Sequence, residues 1–292
     1  MCDNDSIEDM IDYNLRTGGL SRRKFGALTL GVSVVSALPS IASAAETKES
    51  EVEIKTPDGT ADAYFVHPAA GKHPGVLVWP DIFGLRPAFR QMGKRLAESG
   101  YAVLVVNPFY RTKKAPTAPD HADFSDPPTR QMLMSLHDSL SATTAKTDAK
   151  AFIPYLDSQA AVDKKRKIGT TGYCMGGPLV FETAAAVPGR VGAGATFHGG
   201  GLVTDKPDSP HLLIPKMKAS YLIAVAENDD QKQPEAKNVL HDSFAKVKLP
   251  AEIEVYKGTM HGWCPPDSQV YNQEQAEKAW GRLLALFKTA LA

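Results

Sequence analysis

Short apolar runs alternate with amphipathic stretches from about residue 51 to the C-terminus. Continuous runs such as Gly75–Trp79 (GVLVW) and Ala102–Val106 (AVLVV) predict strands that are buried on both faces of a sheet. Strands separated by helices predict a mainly parallel sheet that is flanked by helices on both faces, which is an α/β fold. The predicted strands are Val52–Lys55, Ala61–Val66, Gly75–Trp79, Ala102–Val106, Lys167–Thr171, Gly192–Phe197, Tyr221–Ala226 and Glu252–Tyr256, and the predicted helices are Arg86–Ser99, two between Thr129 and Asp157, Pro178–Ala186, Pro234–Val247 and Gln273–Ala290.

The first 45 residues follow a different pattern. Twin arginines, Arg22 and Arg23, precede the uncharged run Gly26–Leu38, and Ala42–Ala44 (ASA) matches the small-x-small pattern of signal-peptidase sites. This predicts a Tat-type signal peptide over residues 1–45, with an ordinary N-terminal helix or a permanent anchor as the alternative. The protein is then expected to be periplasmic or secreted, without membrane contact after cleavage, and residues 46–292 to form one domain.

Composition excludes several classes of partner. The chain has 33 basic and 33 acidic residues and a formal net charge of zero, so it lacks the field that attracts nucleic acid or anionic lipid. Three cysteines without a C-x-x-C spacing indicate neither a disulfide framework nor structural zinc. The oligomeric state cannot be deduced from the sequence.

A nucleophile motif follows the fifth predicted strand. Gly172–Gly177 (GYCMGG) lies between that strand and a helix, and it matches the G-x-S-x-G nucleophile elbow with Cys174 in place of serine. Small residues are needed two positions on either side of a strained turn. The start of the helix behind the sulfur favours the thiolate. A buried cysteine in an ordinary glycine-rich turn is the alternative.

An acidic residue and a histidine follow later strand ends. Tyr221–Ala226 runs into Glu227–Asp230 (ENDD), and Glu252–Tyr256 is followed by His261 between Met260 and Gly262. The order nucleophile, acid, histidine is that of α/β-hydrolases. His261 is therefore the candidate base, and Asp229 or Asp230 the acid that orients it. His198 also follows a strand and is expected to be structural or to line the pocket.

Three motifs together resemble the dienelactone hydrolase family. They are Gly172–Gly177, Asp81–Gly84 (DIFG) and Asn107–Arg111 (NPFYR), and the resemblance extends from about Glu51 to the C-terminus. The resemblance and the strand register both favour Asp229 over Asp230 as the acid. The resemblance implies hydrolysis of a lactone ring by Cys174, Asp229 and His261, with no metal or organic cofactor.

The resemblance also implies roles for two further residues. Asp81 stands where the family usually has a glutamate that interacts with the resting cysteine. Arg111 aligns with an arginine that binds the substrate carboxylate, whereas a second such arginine would fall at Pro265 and is missing. Independently of the resemblance, an apolar wall for the substrate is expected from Phe83, Phe109, Tyr110 and Trp263, with a place in the core as the alternative for some of them.

The expected reaction is acyl transfer through a thioester on Cys174, with a small-molecule ester or lactone as the substrate. Backbone N–H groups of Met175 and Ile82 are expected to form the oxyanion hole. A broader acyl hydrolase or acyltransferase, or a non-catalytic binding protein on the same scaffold, remains the alternative. A disulfide between Cys174 and Cys264 is a further hypothesis.

Overall fold

The structure, a computed structural model, describes residues 45–120 and 122–292, so the predicted signal peptide lies outside the described residues apart from Ala45. Eight strands form one sheet in the order β1-β2-β4-β3-β5-β6-β7-β8. β1 and β2 are antiparallel at one edge, and the other six strands run parallel. The strands are β1 Thr47–Thr56, β2 Gly59–Pro68, β3 Gly75–Trp79, β4 Ala102–Val106, β5 Ile168–Tyr173, β6 Val191–Phe197, β7 Ser220–Ala226 and β8 Ala251–Tyr256.

Helices cover both faces of this sheet, as predicted. They are α1 Pro87–Glu98, α2 Pro127–Asp138, α3 Ala142–Ser158, α4 Gly176–Ala186, α5 Glu227–Lys232, α6 Ala236–Lys246 and α7 Gln273–Ala290, with a 3₁₀ helix at Pro210–Lys216. The observed architecture confirms the predicted α/β fold with its mainly parallel sheet.

The central strands alternate their side chains between two apolar cores. Every residue of β3 and β4 is buried. Leu77 of β3 packs with Phe152, Phe181 and Phe244 of the helices on one face. Val76 of the same strand packs with residues of α1 and α7 on the other face. A strand that is buried on both sides must be apolar throughout, which is the reason that its sequence reads as an unbroken apolar run.

Two departures of the structure from the predicted elements concern the first strand and the segment after β7. β1 begins at Thr47 rather than Val52, because the exposed polar segment before Val52 pairs with β2 at the sheet edge. Glu227–Lys232, where the sequence predicts neither a helix nor a strand, forms the short helix α5, which has Glu227, Asp229 and Asp230 in its first turn. Acidic side chains stabilise the N-terminal turn of a helix.

The six parallel strands all end on the same side of the sheet, and their C-terminal residues form one edge of it, at right angles to the edge strand β1. Cys174, His198, Asp229 and His261 each follow one of these ends, after β5, β6, β7 and β8 respectively. Such an edge is where parallel sheets place ligand-binding and reactive groups.

Within the described residues, none of the helices is both long and apolar enough to span a bilayer.

Candidate active site

A cavity of about 660 Å³ opens at this edge of the sheet. Cys174, His198 and His261 line it together, and so do Asp81, Ile82 and Phe83 from the loop after β3. A volume of this size holds a small organic molecule.

Cys174 occupies a strained turn between β5 and α4. Its φ angle is +52°, in the left-handed region that residues other than glycine rarely adopt. The N–H of Cys174 donates to the carbonyl of Phe197 (3.1 Å), and the N–H of Gly177 donates to the carbonyl of Cys174 (3.0 Å). These two bonds hold the turn, and the side chain, 5% exposed, lines the cavity.

Glycine is required at positions 172 and 176 because backbone atoms of other residues lie very close to both. A Cβ atom at Gly172 would lie 2.1 Å from the carbonyl oxygen of Gly176. A Cβ atom at Gly176 would lie 2.5 Å from the carbonyl oxygen of Trp79, on the neighbouring strand β3. Both distances are far below contact distance, and backbone atoms cannot swing away. The motif therefore has glycine on either side because the turn packs against itself and against β3.

Asp229 orients His261. The Nδ1–H of His261 donates a hydrogen bond to Oδ2 of Asp229 at 2.8 Å, which directs Nε2 away from the carboxylate. The backbone N–H of His261 donates to Oδ1 of Asn228, also at 2.8 Å. The neighbouring acid, Asp230, is bound instead by Nζ of Lys237 at 2.6 Å. Of the two acids considered from the sequence, Asp229 is the one that reaches the histidine.

The loops after β7 and β8 are joined by further hydrogen bonds. The N–H of Glu227 donates to Oγ1 of Thr259, and the N–H of Gly258 donates to the carboxylate of Glu227. Because these bonds fix one loop against the other, they help to hold Asp229 and His261 at hydrogen-bond distance.

The charges around His261 favour its protonated form. Burial alone would lower the pKa of His261, but the carboxylate of Asp229 and the nearby sulfur of Cys174 outweigh burial and raise this pKa from 6.5 to about 10. An imidazolium beside a sulfur atom favours the thiolate in return. The pair can therefore exist as thiolate and imidazolium at neutral pH.

The two predicted oxyanion-hole residues lie close to Cys174. Met175 is the N-cap of α4, where backbone N–H groups have no partner within the helix. Ile82 is in the loop after β3, and it packs in one apolar cluster with Cys174 and Met175. Their assignment as oxyanion donors stays a prediction.

Asp81 is held by Arg86. Two hydrogen bonds, from Nη1 to Oδ1 (2.6 Å) and from Nη2 to Oδ2 (3.0 Å), join the guanidinium and the carboxylate. The N–H of Phe83 also donates to Oδ1 of Asp81 at 2.9 Å. Asp81 lines the same cavity as Cys174, and its predicted contact with the thiol stays a prediction.

Arg86 also reaches the loop after β8. Its Nε and Nη2 atoms donate to the carboxylate of Asp267 at 2.7 and 3.0 Å. The guanidinium thus links the loop that carries Ile82, through Asp81, to the loop that follows His261, through Asp267. Sequence reasoning missed this link, because no local pattern relates positions 86 and 267.

Arg111 and Tyr110 do not line the cavity, so the structure gives no support to their expected role in substrate binding, which stays a prediction. Arg111 forms ion pairs with Asp58 and with Asp148, and the latter carboxylate is 2% exposed. The hydroxyl of Tyr110 lies 2.7 Å from Oγ1 of Thr56 and donates to Asp148 at 2.8 Å. Asp148 is buried, so Arg111 and Tyr110 are needed to compensate its charge.

Trp263 is also absent from the cavity wall. It is fully buried and stacks on Tyr256 with a centroid distance of 4.8 Å. Its ring lies 6.3 Å from that of His198, so it packs behind the wall. Among the predicted wall residues, Phe83 alone lines the cavity.

Cys174 and Cys264 line different cavities. Cys264 lines a second cavity of about 290 Å³ with Tyr173 and Trp280, while Cys174 lines the first. Neither cysteine forms a disulfide in the structure, and burial raises the pKa of Cys264 well above its usual value. The hypothesis of a regulatory disulfide gains no support from this arrangement.

Within residues 45–120 and 122–292, no group of three or more His, Cys, Asp or Glu side chains could hold a metal ion.

The sheet, the glycine-flanked turn and the order of the reactive residues define an α/β-hydrolase fold. The sequence profile of the dienelactone hydrolase family matches residues 61–291. The chain therefore belongs to the dienelactone hydrolase family.

Individual relatives agree with this assignment. A protein of Synechocystis sp. named "Putative carboxymethylenebutenolidase" is 28% identical over 232 residues, which cover 78% of this chain and 91% of the relative. A protein of Escherichia coli K12 with the same name is 27% identical over 237 residues, covering 77% and 81%.

Solved structures show the same fold. A Klebsiella pneumoniae chain named "Putative Dienelactone Hydrolase" superposes with a TM-score of 0.72 at 21% identity, covering 84% of this chain and 99% of the other. A dienelactone hydrolase-like promiscuous phosphotriesterase from metagenomic libraries gives a TM-score of 0.68 at 21% identity, with the same coverage.

Proposed function

We propose that this protein is a cysteine-dependent hydrolase of carboxylic esters or lactones, which acts through Cys174, His261 and Asp229. The observation that carries the proposal is the 2.8 Å hydrogen bond between Asp229 and His261, next to a cavity that His261 shares with Cys174. Membership of the dienelactone hydrolase family and the names of the relatives, which describe lactone hydrolysis, support it.

In the acylation step, the thiolate of Cys174 attacks the carbonyl carbon and a carbon–sulfur bond forms. The carbonyl electron pair moves to oxygen, and the N–H groups of Met175 and Ile82 would stabilise that charge. The bond to the alcohol oxygen then breaks, and Nε2 of His261 gives its proton to that oxygen. Asp229 keeps the imidazole in the tautomer and orientation that this transfer needs.

In the deacylation step, a water molecule attacks the thioester carbon. His261 takes a proton from this water as it attacks. The carbon–sulfur bond then breaks, the carboxylic acid leaves, and the Cys174 thiolate is restored. With a lactone the alcohol stays attached to the acyl group, so a single product is released.

The proposal is tested with a panel of aryl esters and lactones. Cys174→Ala is expected to lose at least about 10³-fold in kcat, because removal of a nucleophile eliminates the covalent route. Cys264→Ala is the matched control, since Cys264 is the other thiol of residues 45–292 and lies in a separate cavity. It should retain activity.

Chemical labelling separates catalysis from simple binding. Iodoacetamide at neutral pH should alkylate Cys174 and stop turnover, because a thiolate reacts where a thiol does not. Full esterase activity in Cys174→Ala would refute the proposal. Transfer of the acyl group to hydroxylamine in preference to water would favour the acyltransferase alternative.

A further inference from the structure

The cavity wall carries excess negative charge. Four carboxylates contribute to it, those of Asp81, Asp120, Asp123 and Asp267, whereas among the described lining residues Arg86 is the one arginine or lysine. Burial alone would raise the pKa of Asp123, but hydrogen bonds from Ser125 and Gln269 outweigh it and lower this pKa, so Asp123 stays ionised at neutral pH.

Arg86 has no N–H group left for a substrate anion. Its five N–H groups make hydrogen bonds to Asp81, to Asp267 and to the carbonyl oxygen of Gly84. A guanidinium has five donors, and all are in use. A substrate carboxylate would therefore have to displace one of two carboxylates that are already in place.

Arg111 is committed elsewhere in the same way. Its Nε, Nη1 and Nη2 atoms donate to Asp58 and Asp148, and the residue does not line the cavity. The imidazolium of His261 also lines the cavity, but it is already paired with the carboxylate of Asp229 and the sulfur of Cys174. Among the described lining residues, a substrate carboxylate would therefore meet like charges without an available guanidinium.

We infer, on the basis of the proposed function, that the cavity selects uncharged esters or lactones and rejects substrates whose acyl group carries a free carboxylate. Like charges that lie near each other in a partly enclosed space repel. No cationic side chain of the wall is available to pair with the substrate carboxylate, so nothing offsets the free energy that the carboxylate loses when it leaves water. Substrate class is thus set by charge as well as by shape.

A matched pair of substrates tests this inference. The 4-nitrophenyl monoesters of adipic acid and of adipamic acid differ only in a terminal carboxylate or amide. The amide substrate is expected to have a kcat/KM at least tenfold higher. The difference should narrow as the salt concentration rises from about 0.05 M to about 0.5 M, because added ions screen the repulsion.

Two variants test whether the charge of the cavity wall causes the difference in kcat/KM between the two substrates. Asp123→Asn should reduce the amide-to-acid ratio of kcat/KM at least threefold. Asp138→Asn, at an exposed position outside the cavity, should leave the ratio unchanged. An acid substrate that is turned over as well as the amide would overturn the inference while the proposed function stands. Failure to hydrolyse either ester would remove both.

A separate observation concerns His198. Its side chain is 1% exposed and lines the cavity, yet neither Nδ1 nor Nε2 has a hydrogen-bond partner among the described residues. Its φ angle is +41°, so the backbone is strained as it is at Cys174. Its ring packs edge-on against that of His261, with 5.1 Å between the centroids.

An unpaired buried imidazole at a strained position lowers stability. We propose that His198 contacts the substrate directly. As a neutral imidazole it would accept a hydrogen bond from the alcohol that leaves, and later from the water that attacks the thioester. His261 receives the proton that this water loses, and the second O–H bond of the water stays intact while His198 holds it.

His198→Phe and His198→Gln test this role. The phenylalanine variant keeps the shape of the ring but has no nitrogen, so kcat for 4-nitrophenyl butyrate should fall about tenfold while the melting temperature is unchanged or higher. Because deacylation is then the slower step, a burst of 4-nitrophenol should become visible. The glutamine variant should recover part of kcat.

A structural role for His198 predicts the opposite pattern. In that case the phenylalanine variant would have a lower melting temperature and no burst, and glutamine would restore nothing. A kcat within twofold of wild type in correctly folded His198→Phe would also overturn the proposal.

Discussion

Asp229 lies on α5, one turn after the end of β7, and its Oδ2 atom accepts a hydrogen bond of 2.8 Å from Nδ1 of His261. The adjacent acid, Asp230, points to Lys237 instead. Two neighbouring carboxylates thus have different partners, and this difference allows a controlled experiment.

Asp229→Asn should lower kcat by about 10³–10⁴-fold, since an amide no longer fixes the tautomer of the catalytic histidine. Asp230→Asn should stay within about twofold, because it breaks only a partly exposed ion pair. Steady-state kinetics on one activated ester gives both values. Equal losses in the two variants would contradict the assignment of Asp229.

Gly176→Ala should destabilise the fold and reduce activity together. The new methyl group would lie 2.5 Å from the carbonyl of Trp79, so the turn that carries Cys174 must shift, at a cost of about 1–3 kcal/mol. Gly281→Ala is the matched control: it lies inside α7 and its Cβ would have no neighbour within 4 Å. This variant should be more stable by about 0.5–1 kcal/mol. Urea denaturation measures both changes.

Arg111→Met should lower stability and leave KM unchanged. Removal of the guanidinium leaves Asp148 buried without its ionic partner, a change that typically costs about 3–5 kcal/mol. Substrate affinity should persist because Arg111 does not line the cavity. The free energy of unfolding and KM, measured well below the melting temperature, check the two parts. A large increase in KM at intact stability would restore the substrate-binding role expected from the resemblance.

His198 should make the protein less stable in acid. Burial, and secondly the charge of His261, lower the pKa of His198 well below 6.5. Below pH 6.5 the unfolded chain then binds a proton that the folded chain does not, so stability is present above this pH and is lost as the pH falls. The loss approaches about 1.4 kcal/mol per pH unit.

Unfolding of wild type and His198→Phe between about pH 7 and pH 5 measures this effect. The variant has no group to protonate at this position, so its stability should fall less steeply. Parallel curves for the two proteins would show that His198 titrates normally in the folded state.

The export signal remains a prediction, since residues 1–44 lie outside the described residues. Cleavage after Ala44 should give a mature protein that begins at Ala45, found in the periplasmic fraction. Arg22→Lys combined with Arg23→Lys should retain the precursor in the cytoplasm, because Tat export depends on the arginine pair. A periplasmic protein that begins at Met1 would contradict cleavage.

The reactive residues could be predicted because they follow strand ends. Cys174 and His261 come after strands that the sequence predicts, and the parallel order of these strands brings their ends to one edge. Asp229 needed one further inference, since the sequence also offered Asp230. Local pattern was sufficient at these positions because backbone topology determines where they lie.

The cavity wall could not be predicted in the same way. Arg111 and Tyr110 follow β4, which also ends at this edge, but the buried carboxylate of Asp148 on α3 binds both side chains. The link from Arg86 to Asp267 depends on the conformation of two loops that are 181 positions apart. Such contacts follow from tertiary packing and leave no periodic signal in the chain.

The left-handed backbone at Cys174 also bears on the evolution of this chain. Any L-residue with a side chain pays about 1–3 kcal/mol to hold such a conformation, whereas glycine does so freely. Selection for folding alone would therefore replace the whole cysteine side chain with the hydrogen atom of glycine. A descendant that had lost catalytic activity should tend to acquire glycine at this position. Persistence of cysteine across close relatives would indicate that catalytic turnover is still under selection.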